Sequence, residues 1–277
     1  MTVLTPPVAT VTAGDAATAD DDGRPPRDRW LRSVLRLTGA ELRLVLREPM
    51  VAVALIGFPL ATVLILAGVF GQAPDPDFGG VAPSQHYLAG YVGVVLAAMG
   101  LITVPVHMAT HRELGVLRRF RSSGLSAGVL VASEILLGAV LGTAAAAVVL
   151  AAGAAIYGLR MPVDPVGVVG WYMAGLTCFI AIGVALGSLL PSGRSANALG
   201  NLLFVPMLLL GGGGPPRAVM TGAMRRLSDA LPLSHLVGGL RQAWLGRTTD
   251  PHTLWWPLVV AAVAVGVAVV TARRRAG

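Results

Sequence analysis

Six stretches of the sequence stay apolar for close to the roughly 20 residues that a helix needs to cross a bilayer. They run over 50–71, 86–110, 128–157, 167–190, 197–213 and 254–272. A soluble chain of 277 residues cannot hide six such segments, because each would be apolar all round and would need burial on every side. The composition agrees: 55% of residues are apolar, 13% are charged and the mean hydropathy is +0.72, against about 25% charge in an ordinary soluble domain. The solvent of this chain is lipid, and backbone groups in lipid must be satisfied within a helix or a closed barrel. The length of the stretches favours helices, so the expected fold is an all-α membrane protein with six transmembrane helices. The third stretch is long enough to tilt or to extend past the bilayer. The fifth is short and runs into Gly211–Gly214 and Pro215, Pro216, which predicts a break. Gly138 with Gly142 and Gly183 with Gly187 are spaced for close helix approach, a weak signal in a chain rich in Gly and Ala.

Residues 1–29 are rich in Thr, Ala, Pro and Asp and contain no apolar core of a signal peptide, so they read as a disordered cytoplasmic tail. Over 30–48 the pattern turns helical. Arg32, Arg36, Arg43 and Arg47 fall within a stripe about 60° wide at about 100° per residue. Trp30, Leu31, Val34, Leu35, Leu42, Val45 and Leu46 occupy much of the opposite side. A soluble amphipathic helix has the same pattern, but a membrane span follows directly. The segment therefore reads as an interfacial helix, with its apolar side in membrane lipid and its arginines toward anionic headgroups or a partner.

All 21 basic residues are arginine. Seven precede the first stretch, four lie in 111–127, Arg194 stands alone and three follow the last stretch, so one side of the membrane holds fifteen. The other holds Arg160 and five within 214–253. The positive-inside rule then places both termini in the cytoplasm of a multi-pass plasma-membrane protein, with 273–277 as a short cytoplasmic tail. The estimated pI of 10.9 is thereby mostly topological, and nucleic acid is not an expected partner. Without lysine the chain has no P-loop ammonium and no Schiff-base chemistry, which argues against an ATPase or a lysine-dependent enzyme. Its one cysteine, Cys178, lies in an apolar run and reads as a packing residue.

The 111–127 loop carries Arg112, Glu113, Gly115, Arg118, Arg119 and Arg121 with apolar residues between the charges. It suits docking on a soluble partner, although four arginines would also enforce topology unaided. The 214–253 segment is basic yet external, and its pattern gives two short helices over 218–231 and 233–245, joined at Pro232, lying on or dipping into the outer leaflet. Glu134 is the acid well inside an apolar stretch, about 9 Å along its helix at 1.5 Å per residue. Such acids are candidate proton or ion sites, but this one is close enough to the cytoplasmic end to pair with Arg118, Arg119 or Arg121. His107 and His111 have the four-residue spacing of metal ligands but lack a third ligand and the Glu of H-E-x-x-H, so they read as interfacial histidines and no metal site is assigned. Gly124-x-Ser126-x-Gly128 matches the hydrolase nucleophile pattern without a preceding strand, and the Gly211–Gly214 run is external and unable to cradle a nucleotide.

The run Arg112-Glu113-x-Gly115-x-x-Arg118-Arg119-x-Arg121, followed by Leu125-Ser126, resembles the loop between the second and third spans of type-2 ABC exporter permeases of the drug-resistance type. Leu231 through Gly246, with Pro232, His235 and Arg241, is similar to the family's pattern before its last span. Asn197 and Asn201, leading through Pro206 to Pro215, match a third part. The resemblance covers 30–272. It implies two membrane subunits, a second copy or a homologous permease, working with separate ABC ATPase subunits that bind the ATP and magnesium; no cofactor is expected in this chain. It also implies that 30–48 is the connecting helix, 111–127 the coupling segment on the ATPase and 214–253 an external re-entrant helical hairpin. At Glu134 many relatives carry a basic or neutral residue. The cargo expected is an amphipathic drug, antibiotic or lipid-like metabolite. Two other readings remain open: an ion- or proton-coupled transporter that works without an ATPase through Glu134, and a non-transporting membrane scaffold or immunity protein.

Overall fold

In the computed structural model, which describes residues 26–47, 49–70, 72–115, 127–248 and 251–276, every long element is a helix. The first, α1, spans Pro26–Arg47. It includes residues 26–29, ahead of the expected residue 30. Buried positions Val34, Thr38, Glu41 and Val45 follow helical spacing and face the protein. At about 100° per residue they fill one sector about 60° wide, the exposed Leu31, Leu35 and Leu46 fill the next, and the four arginines a third. The helix thus has three faces rather than two.

Helix α2 spans Pro49–Val69 and packs against α3, Pro83–Ala98. A π-helical turn over Met99–Thr103 carries α3 directly into α4, Val104–Glu113. Pro105 accounts for that turn: it lacks the N–H that a regular helix would direct to the preceding turn, and the wider winding absorbs the loss. The combined helix is the core of the bundle, with Tyr87, Leu88, Tyr91, Leu96, Met99 and Leu101 almost fully buried. Around it stand α5 (Ala127–Tyr157), α6 (Pro165–Leu189), α7 (Gly193–Leu210) and α9 (Pro232–Leu245), while α10 (Trp255–Ala276) lies on α6. A short α8, Gly222–Ala230, precedes α9; it begins at Gly222 because the Thr221 hydroxyl accepts the Met224 N–H at 3.4 Å and caps it.

Backbones meet at the π turn. A methyl group on Gly183 would lie 2.6 Å from the Gly100 carbonyl oxygen, and one on Gly200 would lie 2.2 Å from that of Leu101, so α6 and α7 touch the central helix at positions where only glycine fits. Cys178 packs between α6 and α10 with Ala181, Ala185, Ala261 and Ala264, as a small apolar residue. Among the described residues, four helical segments are long and apolar enough to cross a membrane: Pro83–Glu113, Gly128–Tyr157, Pro165–Leu189 and Trp255–Arg274. Leu60–Val69 is a shorter apolar helix. Exposed Ile65, Val148, Ile156, Val169, Val263 and Val270 give the outside of the bundle the apolar surface that lipid requires.

Candidate functional site

Two polar centres interrupt the apolar bundle, one at each end. At the end where α1 lies, Glu41 from α1, His107 and His111 from α4 and Glu134 from α5 converge. His111 Nδ1 is 2.7 Å from Glu134 Oε1 and 3.9 Å from Glu41 Oε1, and His107 Nδ1 is 4.0 Å from Glu134 Oε2. The two carboxylates are buried. Among the described residues, Glu41 Oε2, Glu134 Oε1 and His111 Nδ1 have no aligned hydrogen-bond partner, so the 2.7 Å approach of His111 to Glu134 is a close charge contact. Burial pushes the Glu41 carboxyl up to about 7; the Glu134 carboxylate adds to that rise and His111 opposes it. Beside the cluster, the Thr38 hydroxyl donates to the Ser133 carbonyl at 3.4 Å and holds α1 against α5.

Arg112 and Glu113 directly follow His111 on α4 and clamp the α6–α7 turn. Arg112 Nη1 donates to the carbonyls of Gly187 and Ser188, each at 2.8 Å, and Nη2 donates to that of Leu190. These are the carbonyls that the end of α6 leaves without helical partners. The Glu113 carboxylate accepts the Gly193 N–H at 3.1 Å, at the N-terminus of α7, where both the free N–H groups and the helix dipole favour an anion. Gly115 adopts a φ of +69°, which turns the chain out of α4. Arg118, Arg119 and Arg121 lie outside the described residues.

At the opposite end the glycine run is held by α3 and α9. Arg241 donates from Nε to the His86 carbonyl at 2.9 Å and from Nη2 to that of Gly212 at 3.3 Å, and the Tyr87 hydroxyl donates to the Gly214 carbonyl at 3.1 Å. Pro232 is buried at the first position of α9, and His235 Nε2 donates to the Asp229 carbonyl at 2.8 Å. A cavity of about 640 Å³ opens there, with Arg217, Asp229, His235, Arg241 and Arg247 in its wall.

Of the residues singled out in the sequence, Arg32, Arg36, Arg43 and Arg47 are exposed on one face of α1, and Glu134 joins both histidines. The sequence alone missed Glu41, although its register with Val34 and Val45, off the arginine stripe, was a usable signal. It also missed the third ligand-type group beside His107 and His111, because Glu134 reaches them only through helix packing. Residues 32–245 match the family model described as ABC-2 type transporter. No curated protein matches the chain.

Proposed function

The chain belongs to the ABC-2 type transporter family and is the membrane component of an ABC transporter; on that premise we propose that it is an exporter permease moving an amphipathic drug, antibiotic or lipid-like metabolite outward. A separate ABC ATPase supplies ATP hydrolysis, and ATP and magnesium bind there. The observation that carries this reading is the Arg112–Glu113 clamp. It joins the ends of α4, α6 and α7 into one block at the point where the arginine-rich 116–126 segment leaves α4. A soluble motor docked on that segment pushes three helices at once. The absence of lysine supports an engine on another chain, since no P-loop can be built from this one.

Six spans, with the N- and C-termini cytoplasmic, keep fifteen arginines on the cytoplasmic side of the cell membrane. The α8–α9 pair is then the external re-entrant hairpin and α1 the connecting helix. On α7, Asn201 Nδ2 donates to the Asn197 side-chain oxygen at 2.6 Å on a face that is otherwise exposed and apolar, including Leu202, Val205 and Leu209. An amide pair facing lipid is unfavourable, so this face meets a second permease copy or the transport pathway. For an amphipathic cargo the molecule offers both an apolar groove of about 500 Å³ among α5, α6 and α10 and the polar cavity at the α8–α9 end. Reconstitution tests the proposal: the chain and its ATPase together should show vanadate-sensitive ATP hydrolysis that the substrate stimulates. Failure of any ATPase to co-purify, or substrate movement by the isolated chain on a proton gradient, refutes it.

A further inference from the structure

We propose that Glu41, His107, His111 and Glu134 form a binding site for a divalent transition-metal ion of the zinc class, which pins α1 to the α4–α5 pair. The side chains come from three helices. His107 and His111, four residues apart on α4, present one face, with ring centroids 6.0 Å apart. Glu134 enters from α5, and one ligand atom from each of these three residues lies within 4.8 Å of the others. Tetrahedral ligands at zinc-like bond lengths of about 2.0–2.1 Å stand roughly 3.4 Å apart. The contacts of 2.7, 3.9 and 4.0 Å straddle that separation, with one Glu134 oxygen toward each histidine and Glu41 approaching from the side of His111.

A second observation points the same way. Among the described residues, Glu41 Oε2, Glu134 Oε1 and His111 Nδ1 are buried polar atoms without aligned hydrogen-bond partners, and they belong to the same cluster. Each such atom is expensive to leave unsatisfied in an apolar surrounding, and one ion satisfies the group. Charge also balances: two carboxylates and two neutral imidazoles give a neutral site with a dication. The donor set selects the class, since paired imidazoles favour zinc-like ions whereas magnesium and calcium prefer oxygen alone. Side chains of His107 and His111 are 28% and 22% exposed, which leaves the ion a way in from the surface. The inference stands apart from the transport reading, because it concerns binding to the isolated chain.

The test uses the full-length, tag-free chain in detergent, stripped with chelator and then titrated with zinc. Expected are one ion per chain and, with cobalt as the probe, the intense visible absorption of a tetrahedral site. His107→Asn with His111→Asn, and separately Glu134→Gln, should weaken zinc binding by more than the ~10–100-fold lost when groups merely supporting a ligand are removed. Glu134→Gln keeps the side-chain shape, so it reports even if the double variant misfolds. Less than one zinc per folded wild-type chain, a six-coordinate cobalt spectrum, or unchanged affinity in Glu134→Gln overturns the proposal.

Discussion

Single side chains decide how the ends of the helices are tied. Arg112 fills three carbonyl positions at the end of α6, a task for a planar guanidinium with several donors and not for a single ammonium. Arg112→Ala should lower stability by about 2–3 kcal/mol, since hydrogen bonds from charged groups contribute about 1.5–3 kcal/mol each and water replaces some of them. Arg112→Lys should recover only part of that. Thermal unfolding in detergent, followed by tryptophan fluorescence, checks both; equal midpoints for Arg112→Lys and the wild type would refute the three-carbonyl role. Within α6 one substitution should act with opposite signs at two positions. Gly183→Ala drives a methyl group into the Gly100 carbonyl and should destabilise by at least ~1–3 kcal/mol. Gly170→Ala meets nothing within 4 Å and should be neutral or stabilising by up to ~1 kcal/mol through helix propensity. The same unfolding assay separates them.

Among the elements, α1 shows what periodicity can and cannot tell. The arginine stripe was legible in the sequence, and the four arginines share one exposed face of α1. The apolar side splits into a face against α5 and a face left open, which no one-dimensional pattern separates, because both are apolar. Nitroxide labels in liposomes should resolve the three faces, in a Cys178→Ser background. A label at Leu35 should respond to dissolved oxygen, one at Arg36 to a water-soluble chromium complex, and one at Val34 to neither. Equal response of the Leu35 and Arg36 labels to the aqueous complex would rule out an interfacial α1. The central helix carries the converse lesson. Its apolar run over 86–110 announced a helix, yet the π turn was not foreseen, because it follows from how Pro105 is accommodated in the packed bundle. The His–Glu cluster was half legible: the histidine pair stands four residues apart in the sequence, while Glu41 and Glu134 arrive from helices whose packing sets the partners.

For the whole molecule, the family and the helical class followed from apolar lengths and three loose motifs, whereas the clamp between Glu113 and Gly193 had no signal in the sequence. The clamp bears on coupling. Reversing Arg118, Arg119 and Arg121 to Glu should abolish substrate-stimulated ATP hydrolysis in reconstituted vesicles while membrane insertion and thermal stability stay near wild type. Normal export by that variant would exclude a docking role for the segment. The glycine contacts at the π turn limit how such a machine can move. Shifting α6 by about one turn would bring Phe179 toward the place of Gly183, against the Gly100 carbonyl, and that register leaves no room for an aromatic ring. Sliding of α6 along the central helix is thereby opposed at this contact, and the Gly200 contact opposes the same motion of α7. Motions that keep both glycine contacts carry α6 and α7 together with the central helix, by tilting rather than sliding.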